Sequence, residues 1–360
     1  MIIPFFIMNR GCPHRCLFCN ERLTAGDHGE RIEKRAFVET VRDYLICRRR
    51  ETLPSQIAFY GGTFTGMDQN EQIRLLDLAA PFLKEGTING IRISTRPDEI
   101  TAEGLDLLRN HGVTIVEVGV QSFSDEVLFF SERGHSAADC DRAISLLKAM
   151  DFKTGIHLMA GLPGDSEEGF AETVDKTVAL NPDMVRIHPT LVLRDTLLAK
   201  AFREERYRPL TLEEAVRQSK NALKKLTAAR IAVIRLGLQT TRELEEPGAV
   251  VAGPFHPAFR SLVESSLFLE LSRDLLAAAR IGGGRATFAV APTDVSNFYG
   301  HRRINVDSLK KRHDLSEIRL IVTPALARRE LVLTTGEKSF KADSSGKITV
   351  VPTEYLHADV

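Results

Sequence analysis

The chain of 360 residues has no excess charge of either sign, few cysteines and no long apolar run. Lys and Arg number 48, as do Asp and Glu, so no overall field favours a nucleic acid, and such a partner would need a local patch. The longest apolar run, residues 1–8, is far below the ~20 residues that span a bilayer and lacks the basic start of a secretory signal. We therefore expect a cytoplasmic protein with no membrane partner.

Five cysteines are too few, and odd in number, for a disulfide scaffold. The content of 43% hydrophobic and 27% charged residues is that of an ordinary globular protein and argues against disorder. Three of the five cysteines, Cys12, Cys16 and Cys19, fall within eight positions. This cluster is the most informative feature of the sequence.

Short β-rich runs alternate with amphipathic stretches of helical length as far as about residue 236. This alternation predicts an α/β fold with about six βα units, a partial TIM-like (βα)6 barrel. In such barrels, binding and catalytic groups follow the carboxyl ends of the strands, and the cysteine cluster directly follows the first strand. The predicted strands end at or near residues 8, 60, 95, 120, 161, 189 and 236.

The sequence predicts two domains. Residues 1–240 form the barrel domain, and residues 241–256, with several Gly and Pro and no periodicity, read as a linker. Residues 257–360 change pattern to one long helix followed by short strands, which predicts a small C-terminal α+β domain.

The cysteines follow the spacing CxxxCxxC. One short loop with this spacing can place three thiolates around an iron–sulfur cube and leave one iron without a protein ligand, free to bind a chelating molecule. Zinc is the alternative, with His14 or a distant histidine as the fourth ligand.

The motif, with Phe18 before its last cysteine and a position after the first barrel strand, resembles that of the radical S-adenosylmethionine (SAM) superfamily. The resemblance implies that Cys12, Cys16 and Cys19 hold a 4Fe-4S cluster and that Phe18 packs beside the adenine of SAM. It also implies that the reduced cluster cleaves SAM to a 5′-deoxyadenosyl radical, which takes hydrogen from a substrate. An electron donor of the flavodoxin or ferredoxin kind would supply the electron.

The stretch FYGGTFTG resembles the diglycine motif of the same superfamily. There Gly61 and Gly62 would hold the amino group of SAM by their backbone, and a simple tight turn is the alternative. Thr63 stands where many members have an acidic residue, so we expect backbone carbonyls to make the amino-group contact.

Further SAM contacts are expected after strands three to six, at Ser94, Arg96, Gln121, Gly161 and Leu191. Arg96 would face the carboxylate of SAM or support its loop, Gln121 would face ribose or substrate, and Leu191 would lie near the adenine edge. Each of these residues could equally serve the fold. For His157 and His188 we expect satisfied core histidines.

The stretches ISTRPD, RGHSAADC and PTLVLRDT resemble the radical SAM domain of the Elongator catalytic subunit, which modifies the wobble uridine of transfer RNA. The similarity covers about residues 1–240. No acetyl-CoA phosphate loop follows residue 256, so the carboxymethylating activity is not expected to transfer. One alternative is an enzyme resembling the oxygen-independent coproporphyrinogen oxidases, from GVQSFSDEVL; another is a non-catalytic iron–sulfur or RNA-binding module.

The C-terminal domain contains a local basic cluster beside Phe298 and Tyr299. Basic side chains can contact phosphates while an aromatic ring stacks on a base, so the cluster suggests a transfer RNA partner. A solvated helix face is the alternative. The basic residues are Arg302, Arg303, Lys310, Lys311 and Arg312.

Overall fold

The computed structural model describes residues 1–13, 15–26, 31–47, 55–335 and 338–352. The chain divides into two compact units. Unit 1 comprises Met1–Leu212 and Ile231–Pro257, and unit 2 comprises Glu213–Arg230 and the chain from Ala258 onward. No helix in the described ranges is long and apolar enough to cross a membrane.

A parallel seven-stranded sheet forms the framework of unit 1. Its strands follow the order β1-β2-β3-β4-β5-β6-β8, so the sheet is an open half-barrel, as predicted. The seventh strand of the sheet is the predicted strand that ends at residue 236. These strands consist mainly of apolar and β-branched residues, because both faces of a parallel sheet are covered by other parts of the protein. The strands of this sheet are β1 (Ile2–Phe6), β2 (Gln56–Tyr60), β3 (Ile91–Thr95), β4 (Val113–Gln121), β5 (Lys153–Ala160), β6 (Met184–Pro189) and β8 (Ala232–Leu236). Two further strands of unit 1, β7 (Val192–Leu193) and β9 (Val250–Ala252), pair with each other in a separate two-stranded sheet.

Helices connect the strands of unit 1 and cover the sheet with their apolar faces. Thr101 caps the fourth helix as predicted, because its hydroxyl accepts a hydrogen bond from the backbone N–H of Gly104 at 3.1 Å. Three short helices, α1, α5 and α8, were not predicted. The helices are α1 (Glu21–Ala25), α2 (Lys34–Ile46), α3 (Gln69–Lys84), α4 (Ala102–Asn110), α5 (Asp125–Phe130), α6 (Ala137–Ala149), α7 (Glu167–Leu180) and α8 (Leu197–Arg203).

The division into units differs from the predicted boundaries at two places. The segment 241–256 belongs to unit 1, because β9 pairs antiparallel with β7 and because Leu244 and Ala249 are buried in one apolar cluster with Leu191. The helix α9 (Leu212–Ala228) packs with unit 2 from Glu213 onward. The chain therefore passes between the units more than once.

Unit 2 is an α+β unit with a five-stranded sheet in the order β11-β10-β12-β13-β14. Strands β10 and β11 are parallel, and the other neighbours are antiparallel. Its remaining elements are α10 (Phe259–Ala278), β10 (Gly284–Val290), α11 (Val295–Tyr299), α12 (Ile304–His313), β11 (Leu315–Val322), β12 (Leu331–Thr335), β13 (Lys338–Ala342) and β14 (Ile348–Val351). The prediction missed β13 and the short helices α11 and α12.

Candidate active site

A cavity of about 1250 Å³ in unit 1 is lined by residues of the sheet strands, by the loops after their carboxyl ends and by part of α2. It brings together all but one of the site residues expected from the sequence, which are separated by up to 179 positions along the chain. Those residues are Cys12, Cys16, Phe18, Cys19, Gly61, Gly62, Thr63, Ser94, Arg96, Gln121 and Leu191.

Gly161 is the expected residue that does not line this cavity. Its carbonyl accepts a hydrogen bond from the Tyr207 hydroxyl at 2.6 Å. The side chain of Leu210 occupies the other side, 2.6 Å from where a β-carbon would lie. The described contacts thus give Gly161 a packing role.

The cysteine loop places three free thiols at the cavity wall. The Cys12 Sγ lies 3.2 Å from the Thr63 hydroxyl, and the Cys19 thiol donates to the Asn9 side-chain oxygen at 3.7 Å. Burial raises the pKa of Cys12 and that of Cys19, so both are thiols when no metal is bound. A bound metal would take them as thiolates and release the protons.

Two arginines bring positive charge to the same wall. The guanidinium of Arg133, which is 6% exposed, donates to the Cys16 Sγ at 3.1 Å and to the carbonyl of Gly119. Arg96 makes a bidentate contact with Asp98 at 3.0 and 2.8 Å, which holds the guanidinium in its loop. Arg133 was not predicted, and its positive charge would offset part of the charge of three thiolates.

The diglycine turn packs directly against the cysteine loop. Gly61 and Gly62 both have positive φ, at 73° and 67°. A β-carbon on Gly62 would lie 2.5 Å from the Arg10 carbonyl oxygen, so only glycine fits there. The neighbouring Thr63 N–H donates to that same carbonyl at 2.8 Å, which fixes the two loops to each other.

The carboxylate of Glu21 connects the same two loops and was also missed by the sequence prediction. It accepts hydrogen bonds from the backbone N–H groups of Asn9 and Gly62, and it lines the cavity. Burial raises the pKa of Glu21. Within the described ranges no Lys, Arg or His forms a salt bridge with this carboxylate, which leaves its negative charge directed at the cavity without a cation.

Beside the cavity a fully buried carboxylate, Glu117, organises the side chains that project inward from four strands. It accepts hydrogen bonds from Tyr60 (2.7 Å), Arg92 (2.8 Å), His157 (2.7 Å) and Arg186 (3.1 Å). Burial acts to raise the pKa of Glu117, but His157 and Arg186 hold it well below its usual range. The carboxylate thus fixes Tyr60, His157 and Arg186, all of which line the cavity.

The two histidines expected in the core are bonded as expected, yet both line the cavity. The Nδ1 of His188 lies 3.2 Å from the carbonyl oxygen of Gly237, so Nδ1 carries the proton. Burial, with the charges of His157 and Arg186, lowers the pKa of His188 to about 3. His188 is therefore neutral, and its Nε2 has a lone pair that can accept a hydrogen bond.

The donor set fits an iron–sulfur cube. The three thiols are free and share one cavity with Arg133 and with the half-buried carboxylate of Glu21. Among the described residues no three His, Cys, Asp or Glu side chains are arranged to hold a single metal ion, whereas each thiolate of a cluster ligates a different iron. His14, the fourth ligand in the zinc alternative, lies outside the described residues.

Comparisons with known proteins show which families and relatives the chain resembles. The family model described as "Radical SAM superfamily" matches residues 6–177, and the "Radical_SAM C-terminal domain" model matches residues 182–268. The tRNA uridine(34) acetyltransferase of Methanocaldococcus infernus is 38% identical over 34% of this chain and 24% of its own length. Elongator complex protein 3 of Saccharomyces cerevisiae is 34% identical over 40% of this chain and 25% of its own length.

Among solved structures, the archaeal Methanocaldococcus infernus Elp3 with an N-terminal deletion superposes with a TM-score of 0.55. It is 24% identical, and the superposition covers 74% of this chain and 62% of that one, which supports the half-barrel fold. The chain spans about a quarter of the length of the two curated relatives.

Proposed function

We propose that the chain, whose residues 6–177 match the radical SAM superfamily, is a radical SAM enzyme that acts on transfer RNA. The observation that carries the first part is that Cys12, Cys16 and Cys19 share one cavity with Gly61 and Gly62. The chemistry that a bound 4Fe-4S cluster and SAM supply is reductive cleavage of SAM to a 5′-deoxyadenosyl radical, which abstracts a hydrogen atom.

The protein holds and orients these groups. Cys12, Cys16 and Cys19 would ligate the cluster, with Arg133 donating to the Cys16 sulfur. Glu21 would supply, next to the diglycine turn, the negative charge that Thr63 does not, and would contact the amino group of SAM in addition to the backbone carbonyls expected from the sequence. Phe18 and Leu191 offer apolar surface to the adenine.

The strands position the substrate. Tyr60, His157 and Arg186 are fixed by Glu117 and face the cavity, so they offer a rigid polar surface at little cost in conformational entropy on binding. His188 can accept a hydrogen bond at Nε2 because its other ring nitrogen is already engaged. A substrate held against these groups would be kept from water near the reacting carbon.

Transfer RNA is proposed as the substrate class from the names of the relatives and from the basic cluster of unit 2. Arg302, Arg303, Lys311 and Arg312 are exposed there, and Lys310 is half-buried. A flavodoxin-like or ferredoxin-like protein would supply the electron. The free thiols favour action in a reducing compartment such as the cytoplasm.

The test is SAM cleavage by the protein purified without oxygen and reconstituted with iron and sulfide. With dithionite and SAM, wild type should form 5′-deoxyadenosine and Cys16→Ala should not. Cys140→Ala is the matched control, because Cys140 is buried in α6 and makes no part of the cavity. A brown protein that does not cleave SAM would point to a binding module instead, and a colourless zinc-loaded protein would refute the proposal.

A further inference from the structure

Unit 2 contains a strand–helix–helix–strand segment from Gly284 to Val322 whose two strands are parallel neighbours. Strand β10 leads through α11 and α12 to β11, which pairs with β10 at the edge of the five-stranded sheet. The buried side chains of Phe298, Val306 and Leu309 hold the two helices in the core. The connection between the helices is therefore presented by a packed framework.

That connection is the four-residue turn Gly300-His301-Arg302-Arg303. Its glycine is required, because φ is 71° and a β-carbon would lie 2.9 Å from the side chain of Asn305. Arg302 and Arg303 also adopt left-handed φ, at 49° and 65°. Two successive arginines in this region are uncommon and cost conformational energy, so the surrounding structure must impose the turn.

A buried amide fixes the turn from below. The side-chain nitrogen of Asn305, which is 3% exposed, donates to the carbonyls of Ser265 (2.9 Å), Asn297 (3.2 Å) and Phe298 (3.2 Å). These bonds tie the start of α12 to α10 and to α11. The backbone of the turn is thus preorganised rather than free to adapt.

The outer face of the turn is basic and exposed. His301, Arg302 and Arg303 are exposed, and the Arg303 guanidinium lies over the Tyr299 ring at 4.7 Å. Ile304, the next residue, is 64% exposed and adds an apolar surface beside the charges. Five Lys or Arg residues and a single acidic residue, Asp307, occur from 300 to 312.

We infer that this turn is a clamp for the backbone of single-stranded RNA. A Gly-X-X-Gly loop between two helices is the element with which KH modules grip about four nucleotides. Here Gly300 keeps the first position, and Arg303 occupies the fourth with the positive φ that glycine usually supplies. Arg302 and Arg303 contact phosphates, and Ile304 packs against a base. That the RNA is a transfer RNA rests on the proposed function; an anticodon loop offers a single-stranded stretch of sufficient length.

The test is fluorescence anisotropy with the full chain and a labelled single-stranded RNA of about twelve nucleotides, and with the same RNA in a duplex. Arg302→Asp reverses the charge of the side chain, and aspartate tolerates the left-handed φ of this position. Arg280→Asp is the matched control, because Arg280 is also exposed and left-handed (φ 55°) and follows α10 in the same unit. We expect Arg302→Asp to weaken binding about tenfold or more and to lower the salt slope of log K by about one or two. Arg280→Asp should bind within about twofold of wild type.

A second variant distinguishes the contribution of the turn's backbone conformation to RNA binding from that of the arginine charge. Arg303→Gly should keep the fold, since glycine favours positive φ, and should keep part of the binding, since the turn remains. Preference for the duplex, equal losses in Arg302→Asp and Arg280→Asp, or no binding by a folded wild type would overturn the inference. Wild-type protein that binds the RNA but does not cleave SAM would instead refute only the proposed radical chemistry.

Discussion

Replacing Glu117 by Gln removes one negative charge from the interior of unit 1 with almost no change of shape. In wild type the carboxylate pairs with Arg92 and Arg186, whose side chains are 7% and 14% exposed. It also accepts from Tyr60 and His157. The amide would leave both guanidinium groups without a charge partner and would turn an N–H₂ group toward donors.

Breaking a buried ion pair in this way costs about 3–5 kcal/mol of unfolding free energy, because it leaves uncompensated charge in the interior. For a unit of about 240 residues, 1 kcal/mol shifts the melting temperature by about 2–4 °C, so we expect a fall of roughly 6–20 °C. The pKa of Glu117 is held below its usual range, so its contribution is complete above about pH 4.5 and is lost as the pH falls through the folded pKa. The difference between variant and wild type should therefore shrink in acid.

The assay is thermal unfolding followed by circular dichroism and by calorimetry, which separates the transitions of two units. Arg142→Gln is the control, because the Arg142 side chain is 60% exposed and pairs with Asp139 at 2.9 Å on the surface of α6. Arg142→Gln should lower the free energy of unfolding by less than about 1 kcal/mol. A fall for Glu117→Gln no larger than that of the control near neutral pH would refute the reasoning.

Three further changes test the cavity and its surroundings. Gly62→Ala places a β-carbon against the Arg10 carbonyl at positive φ, so iron retention after desalting should fall severalfold, whereas Gly86→Ala, with open space at the same sign of φ, should retain iron. Arg133→Gln removes the donor to Cys16 and should also lower iron retention. Burial raises the pKa of Asp165 to about 6, so the protein loses stability as this carboxyl ionises between about pH 4 and pH 6. Asp165→Asn should therefore raise the free energy of unfolding by about 1 kcal/mol above about pH 6 and leave it unchanged below about pH 4, as measured by urea unfolding.

The framework of unit 1 was predictable because its signals are local. Each sheet strand is a short run of apolar and β-branched residues, and each long helix repeats its apolar residues every three or four positions. Helices α1, α5 and α8 have five to seven residues, too few for such a repeat. The pairing of β9 with β7 joins residues about 60 positions apart, which no local pattern could indicate.

The residues of the candidate site were predictable where a short motif or the end of a predicted strand marks them. The three cysteines and the two glycines stand in short motifs, whereas Arg133 and Glu117 act through contacts with distant residues. The sequence does contain one signal for Glu117 and its partners. Arg92, Glu117, His157 and Arg186 are polar residues within otherwise apolar strands of a parallel sheet, a placement that requires mutual pairing because isolated charges are costly in the interior.

The charge of Glu21 and its position beside the diglycine turn together predict a contact with SAM. The carboxylate of Glu21 is half-buried, so it has lost part of its hydration, and the two backbone N–H groups supply only part of the compensation. A ligand with an ammonium group would compensate the rest of the negative charge of Glu21, whereas a ligand without such a group would not. SAM has such a group and the diglycine turn lies beside the carboxylate, so Glu21→Gln should weaken SAM binding in equilibrium dialysis. An adenosine analogue without the amino group should bind wild type and variant alike, and an equal loss for both ligands would assign Glu21 to the fold instead.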